Sequence, residues 1–344
     1  MTEIVPKVSV IVATYNRENV ISDTIDSIFN QTFQDYEIII VDDGSTDNTN
    51  AILKKYGNKI NYVNIYHSGS PSYARNTGIK LAKGKYIAIL DSDDLWFPEK
   101  LEKQVNFMEN HSDVGVLGTF FETVNDDNGN KKIYLLPTNP NILKWCLIFS
   151  NCIAHSSVII RSEIIKMLGY YDKSVDFCED YDLWIRASRI TNIANLPEVL
   201  LSYHIHDSSI SSVYFEEQEK IALCIMILNV RKILNNNVSD EIILNMKRVY
   251  NGFLLNNNDE VENAFNIMFE LYNHYTNNNN LNLKELNSIS NIVMYLLLRQ
   301  VIKERNMGIN YRIKIFLKVG IFKMQSIKDI MLKLLYQSYK SSIN

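Results

Sequence analysis

A chain of 344 residues is long enough to bury one full core and to leave a second, smaller unit. At 46% hydrophobic and 22% charged, with a net charge of −4, it has the make-up of a globular protein and no electrostatic footprint for nucleic acid. The charge is uneven: from Arg299 onward ten Lys/Arg stand against Glu304 and Asp329, a net +8, so the remainder carries −12.

In chain order, the apolar runs VSVIVA (8–13), YEIIIVD (36–42), YVNIY (62–66), KYIAIL (85–90) and VGVLGT (114–119) are rich in β-branched residues and predict strands. Between them lie amphipathic stretches, such as the one carrying Leu101, Val105 and Met108 at helical spacing. This alternation predicts an α/β fold, a Rossmann-like and mainly parallel sheet with helices on both faces. Ligands bind such sheets beyond the carboxyl ends of the strands, and the polar clusters TYNRE, DDGSTD and DSDD fall at those ends. From about 125 to 210 the pattern loosens, and beyond about 215 it becomes helical, with Asn-rich loops at 256–258 and 277–280. The expected organisation is a domain over 1–214, split near residue 120, and a helical region over 215–344.

No apolar run approaches the roughly 18 residues that a membrane span needs. The N-terminal run, Val8–Ala13, is too short for a signal peptide. The four cysteines lack C-x-x-C or zinc-type spacing, which predicts no structural disulfide and a cytoplasmic setting.

In DSDD, Asp91 and Asp93 are two apart and would project to one face of an extended strand end. Hard oxygen ligands on one side suit Mn2+ or Mg2+, which completes its shell with water and substrate phosphates. Helix capping is the competing explanation and needs only one carboxylate. Asp94, facing the other way, is expected to take that role. In DDGSTD, Gly44 can supply a turn and Ser45, Thr46 or Asp47 a cap, which leaves Asp42 and Asp43 unexplained. A carboxylate there can accept the N3–H of a uracil. Arg75, near a helix start, can brace a diphosphate or sit solvated on the surface. Glu179, Asp180 and Asp182 open a short helix, either as ordinary first-turn acids or with one of them as a general base. His204 and His206 share a strand face and offer a metal or phosphate ligand, or merely structural imidazoles.

Together, PKVSVIVATYNRE, SIFNQTFQDYEIIIVDDGSTD, ARNTGIKLAKGKYIAILDSDD and EDYDLWIR closely resemble the family 2 glycosyltransferases of the GT-A fold, over roughly residues 6–210. The resemblance implies inverting transfer of a sugar from a nucleoside-diphosphate sugar, with UDP the expected nucleotide, to the hydroxyl of a saccharide acceptor. It implies that Ala13, Thr14 and Tyr15 lie along the base, that Asp43 hydrogen-bonds it, and that Arg75 approaches the donor. Asp91 would contact the ribose or sugar, with Ser92 beside it in the donor site, and Asp93 would hold the metal. Asp180 would be the catalytic base, with Glu179 the nearest alternative. His206 matches a position that reaches the metal or diphosphate, whereas His204 stands where the family often has arginine.

The setting implied is synthesis of a bacterial surface polysaccharide such as O-antigen or capsule. Two alternatives are a nucleotidyltransferase and a non-catalytic sugar-nucleotide-binding protein. The first usually has a Gly-rich loop where TYNRE has no glycine; intact DSDD and EDYD argue against the second. The basic, amphipathic stretch 325–340 suits either an interfacial helix at the inner face of the membrane, next to a lipid-linked acceptor, or a helix packed on its own domain or in a homodimer.

Overall fold

A computed structural model of the chain describes residues 5–206, 209, 213–255 and 257–303. The basic stretch 325–340 lies outside the described residues. The chain divides between Ala222 and Leu223 into two compact units.

The first unit is built on a nine-stranded sheet: β1 (Val8–Thr14), β2 (Tyr36–Asp42), β3 (Asn61–Asn64), β4 (Tyr86–Asp91), β5 (Leu95–Trp96), β6 (Val114–Asn125), β7 (Lys131–Tyr134), β8 (Ile159–Arg161) and β9 (Asn192–Ile205). Its order is β3-β2-β1-β4-β8-β6-β9-β5, with β7 paired to β6. β3, β2, β1 and β4 run parallel, as the strand–helix alternation predicts. β8 then enters antiparallel between β4 and β6, so VGVLGT does not adjoin KYIAIL. At three residues β8 is too short to show a period in sequence.

Helices α1 (Ile21–Phe29), α2 (Thr49–Lys54), α3 (Pro71–Leu81) and α4 (Lys100–Asn110) occupy the crossovers. Alternation along β1 assigns its faces. Val8, Val10 and Val12 join Ile21, Ile25 and Ile28 of α1 and Leu101, Val105 and Met108 of α4 in one core, and all nine are almost wholly buried. Burying each such side chain is worth about 2 kcal/mol relative to exposure. On the opposite face α3 sits so close that a Cβ at Gly78 would lie 2.8 Å from Ile11 Cγ2 and 3.2 Å from Val41 Cγ2.

Register then sets the site. Thr14 pairs with Asp42 and Ala13 with Asp91, so the acids that end β2 and β4 flank the end of β1 on one sheet edge. The remaining helices of this unit are α5 (Pro140–Cys146), α6 (Ser162–Met167) and α7 (Glu179–Ala187). α8 (Phe215–Leu234) carries the chain into the second unit, which holds α9 (Asp240–Tyr250), α10 (Asn258–Asn278) and α11 (Leu283–Lys303). The Asn-rich stretches mark helix ends: Asn257 caps α10, accepting from the Asp259 N–H at 2.8 Å, and the run 277–280 closes it. Among the described residues no helix is long and apolar enough to cross a membrane.

The turn before β4 has no room for a side chain at Gly84. A Cβ there would stand 2.6 Å from Ser9 N and 2.8 Å from Val8 C, both backbone atoms of β1. Gly84→Ala is expected to destabilise the protein by about 2 kcal/mol, seen as a lower urea midpoint at unchanged slope.

Candidate active site

Two loops at the edge of the sheet are stitched together by their side chains. Asn16, in the left-handed region at φ 50°, accepts the Thr46 N–H on Oδ1 at 2.8 Å and gives its own N–H to Ser45 Oγ at 2.9 Å. Arg17 N–H reaches Thr49 Oγ1 at 2.8 Å, Glu18 N–H reaches Asp47 Oδ2 at 3.1 Å, and Asn48 N–H returns to Glu18 Oε2 at 2.8 Å. Gly44 supplies the turn at φ 75°, and Asp47 Oδ1 accepts the Thr49 N–H at the start of α2.

The adjacent acids separate here. Asp42 is fully buried and holds the loop itself, accepting from Ser45 N–H at 2.9 Å and Tyr62 O–H at 3.0 Å. Asp43 accepts from Ser68 N–H on Oδ1 and Gly69 N–H on Oδ2, at 2.8 and 3.1 Å, with His67 Nδ1 3.1 Å from Oδ2. The His67 ring stacks on Tyr15, centroids 4.2 Å apart, beside Ala13 and the buried Thr14. Tyr15 and His67 thus make a partly exposed aromatic surface at the ends of β1 and β3.

The DSDD segment is not an extended strand end. The chain turns after Asp91, whose carbonyl accepts the Asp94 N–H at 3.2 Å, with Ser92 buried in the turn. The two-residue spacing therefore does not put Asp91 and Asp93 on a shared strand face. Asp91 Oδ1 accepts from Arg75 Nη2 at 2.8 Å; its Oδ2 faces His155 Nδ1 at 3.1 Å and Ser156 Oγ at 3.0 Å. Burial opposes its charge, but Arg75 and His155 outweigh that and hold the carboxyl far below the usual aspartate range. Asp93 faces His206 Nε2 at 3.2 Å and Arg17 Nε at 3.4 Å; that Nε is buried and makes no hydrogen bond.

Asp94 does not cap the next helix. It is buried, takes the His204 N–H at 3.0 Å and the Ser156 hydroxyl, and so ties the turn to β9 and to the segment before β8. α4 starts later, at Lys100, and its N-cap Glu99 makes no side-chain cap bond. Burial, and then Asp93 and Asp91, push the Asp94 carboxyl well above its ordinary value. Nor do the two histidines act together. β9 ends at Ile205, so His206 turns to Asp93 while His204 pairs with Asp126 at 2.7 Å.

Arg75 lies in the second turn of α3, buried rather than solvated, and its guanidinium joins two acids: Asp91 at 2.8 Å and Glu179 Oε1 at 2.5 Å. Burial works against its charge, but the two carboxylates more than offset this and raise its pKa. Glu179 and Asp180 open α7, and Asp182 makes an ordinary helical pair with Arg186 at 2.8 Å. Asp180 Oδ2 accepts from Asn151 Nδ2 at 2.8 Å and Oδ1 from its neighbour's N–H, Tyr181, at 2.7 Å. Burial raises the Asp180 pKa, His155 works against that, and Glu179 adds to it.

Arg17 lies within TYNRE, but three residues of this centre give no motif in the sequence: Asn151, His155 and Tyr171, whose hydroxyl lies 2.9 Å from His155 Nε2. Each stands alone in its segment, and only the pairing of β8 with β4 brings 151–157 to the end of β4. A histidine just before a short apolar run (AHSSVII) is the one available hint. Among the described residues no group of three or more His, Cys, Asp or Glu is placed to cage a metal. Asp93 with His206 is a two-residue set, which fits an ion that completes its shell with water and phosphate.

The family profile described as Glycosyl transferase family 2 matches residues 9–168. A glycosyltransferase of Haemophilus influenzae, named as uncharacterized, is 31% identical over 280 residues, 78% of this chain and 86% of its own length. From Escherichia coli, the O-antigen biosynthesis glycosyltransferase WbnJ is 37% identical, covering 60% of this chain and 82% of its own. WfaP, a UDP-Glc:alpha-D-GlcNAc-diphosphoundecaprenol beta-1,3-glucosyltransferase of the same organism, is 35% identical over 61% of this chain and 82% of its own. Among solved structures, S. aureus TarS 1-349 in complex with UDP-GlcNAc superposes with a TM-score of 0.56 at 22% identity, covering 91% of this chain and 90% of that one. The profile and the Haemophilus relative fix the family, and the superposition speaks for the fold: the chain belongs to the family 2 glycosyltransferases and has the GT-A fold.

Proposed function

We propose that this glycosyltransferase moves a sugar from a UDP-sugar to a saccharide hydroxyl with inversion, Asp180 acting as the base. The observation that carries the assignment is the division of labour between adjacent acids: Glu179 is committed to Arg75, whereas Asp180 meets only an amide and a backbone N–H. A carboxylate with no direct ion pair among the described residues, raised in pKa by burial, keeps lone pairs and basicity for a hydroxyl proton.

In the step proposed, the acceptor O–H gives its proton to Asp180 while the oxygen bonds to the anomeric carbon. The bond from that carbon to the diphosphate breaks on the opposite face, and the nucleoside diphosphate leaves. Asp91, held by Arg75 and His155, faces the donor, and Asp43 with the Tyr15–His67 surface receives the base. Asp93 and His206 would hold a divalent cation, whose contribution when bound is to offset charge on the departing diphosphate. An imidazole in that set favours Mn2+ over Mg2+. A lipid-linked saccharide in surface-polysaccharide synthesis is the acceptor we favour, by analogy with the acceptor in the name of WfaP.

A panel of nucleotide-sugars assayed for nucleoside-diphosphate release tests this reading. Release should be greatest with a UDP-sugar, require Mn2+ or Mg2+, and stop with chelator. Turnover indifferent to chelator in both wild type and Asp93→Ala would remove the metal role of Asp93.

Asp180→Asn should bind UDP as the wild type does and lose about a thousandfold in kcat. Retained turnover would move the base elsewhere. Because Asp180 must be ionised to accept a proton and its pKa is raised, activity should fall on acidification at a pH above the ordinary aspartate range. Glu179→Gln removes a nearby negative charge, so the acidic limb of its kcat–pH profile should move to lower pH. A limb unmoved in that variant would show that another group sets it.

A further inference from the structure

We infer that His155 is a positioning residue for the donor site: through Nδ1 it fixes the plane of the Asp91 carboxylate, and through Nε2 it braces that carboxylate against Tyr171. This inference rests on the proposed part of Asp91 in holding the donor.

The contacts close into a ring. Arg75 Nη2 donates to Asp91 Oδ1 at 2.8 Å, and His155 Nδ1 lies 3.1 Å from Asp91 Oδ2. His155 Nε2 lies 2.9 Å from the Tyr171 hydroxyl. The Tyr171 backbone is gripped at both ends by Asn76, its N–H reaching Oδ1 at 3.0 Å and its C=O taking Nδ2 at 2.9 Å. Asn76 follows Arg75 on α3, so the ring returns to where it began.

Proton counting shows why the imidazole is needed. Ser156 also faces Asp91 Oδ2, at 3.0 Å, but its hydroxyl has one hydrogen and a closer carboxylate in Asp94. It is therefore not a committed donor to Asp91. Arg75 fixes only Oδ1 and shares its charge with Glu179. Without a second donor on Oδ2, the carboxylate could swing about its Cβ–Cγ bond. An ionised carboxylate only accepts, so Nδ1 must carry a hydrogen whatever the charge of the ring.

The mount is rigid. His155 opens the short turn His155–Ser157, in which Ser157 Oγ donates to Ala154 C=O at 2.7 Å and Ser157 C=O takes Gln104 Nε2 at 2.8 Å. Its side chain is 12% exposed, packed edge-on to Tyr171 and near Trp184.

Two asparagine-type replacements separate the contacts. The amide of His155→Asn can stand where Nδ1 stood, and that of His155→Gln can reach the Nε2 position. With UDP as the binding probe and the UDP-sugar that turns over as substrate, His155→Asn should hold donor KM within about threefold of wild type. His155→Gln and His155→Ala should raise it about tenfold, the worth of a charge-assisted hydrogen bond; His155→Ala, which also leaves a cavity beside Tyr171, should melt lower, whereas His155→Gln should melt close to His155→Asn. Equal behaviour of the Asn and Gln variants, or losses that merely follow melting temperature, would overturn the inference. Nitrogen-15 spectra of the histidines, assigned by the signal missing in His155→Asn, should show Nδ1 protonated; a bare Nδ1 would overturn it without any substrate. A wild-type protein that binds no UDP would instead sink the donor reading, and the spectra would still decide the strut.

Discussion

One guanidinium organises the edge of the sheet where the candidate site lies. Arg75 is buried with two carboxylates, Asp91 from the end of β4 and Glu179 from the first turn of α7. Burying an arginine is expensive unless its charge is met by well-placed acceptors, and breaking such a pair strands the charge that remains. Two acids therefore hold Arg75 in place, and in return it fixes where β4 ends relative to α7. Any group carried on α7, Asp180 above all, inherits that placement. The arrangement is weak evidence for stability, because a buried ion pair is often no better than apolar packing. It bears on position instead, because Arg75 meets both acids in the register in which α3, β4 and α7 come together.

The same logic sorts the acids by partner. Asp91 has a strong cation and an imidazole, and its carboxyl stays ionised. Asp94 has a hydroxyl and a backbone N–H, and burial beside two like charges pushes it the other way. Asp93 sits between them, facing an imidazole and an arginine nitrogen that makes no hydrogen bond. Three carboxylates in four residues coexist because their partners come from different elements: α3, the turn before β8, and the ends of β1 and β9.

Most of the parallel half of the fold is legible in the sequence because β1, β2 and β4 are each a continuous apolar run followed by a polar cluster. VSVIVA, YEIIIVD and KYIAIL became β1, β2 and β4, and the register of those strands placed TYNRE, DDGSTD and DSDD on one edge. The rest is hidden for identifiable reasons. β8 has three residues and no period of its own, yet it brings His155 and Ser156 to Asp91. The turn after Asp91 depends on tertiary partners of Asp94, so a local rule about strand faces and caps could not foresee it. Arg75 reads as an isolated basic residue until the fold supplies Glu179, which lies 104 positions away.

The two loops that would meet the nucleotide base are held mainly by their own side chains. Asn16, Glu18, Ser45, Asp47 and Thr49 exchange hydrogen bonds between the ends of β1 and β2, and Asp42 is used up inside that structure. The ordering of these segments is thus settled when the chain folds. Binding a ligand on this edge then costs little loop entropy, because Tyr15 and Asp43 already stand in place. A loop that cradles phosphates through its backbone needs free N–H groups and the room that glycine provides. Here the backbone N–H groups of Asn16, Arg17 and Glu18 are already taken by side-chain oxygens, and the residues between β1 and α1 include no glycine. On the proposed reading a base would be recognised here through side chains, and because Arg75 is already matched by Asp91 and Glu179, the charge of a diphosphate would fall to Arg17 and to a cation held by Asp93.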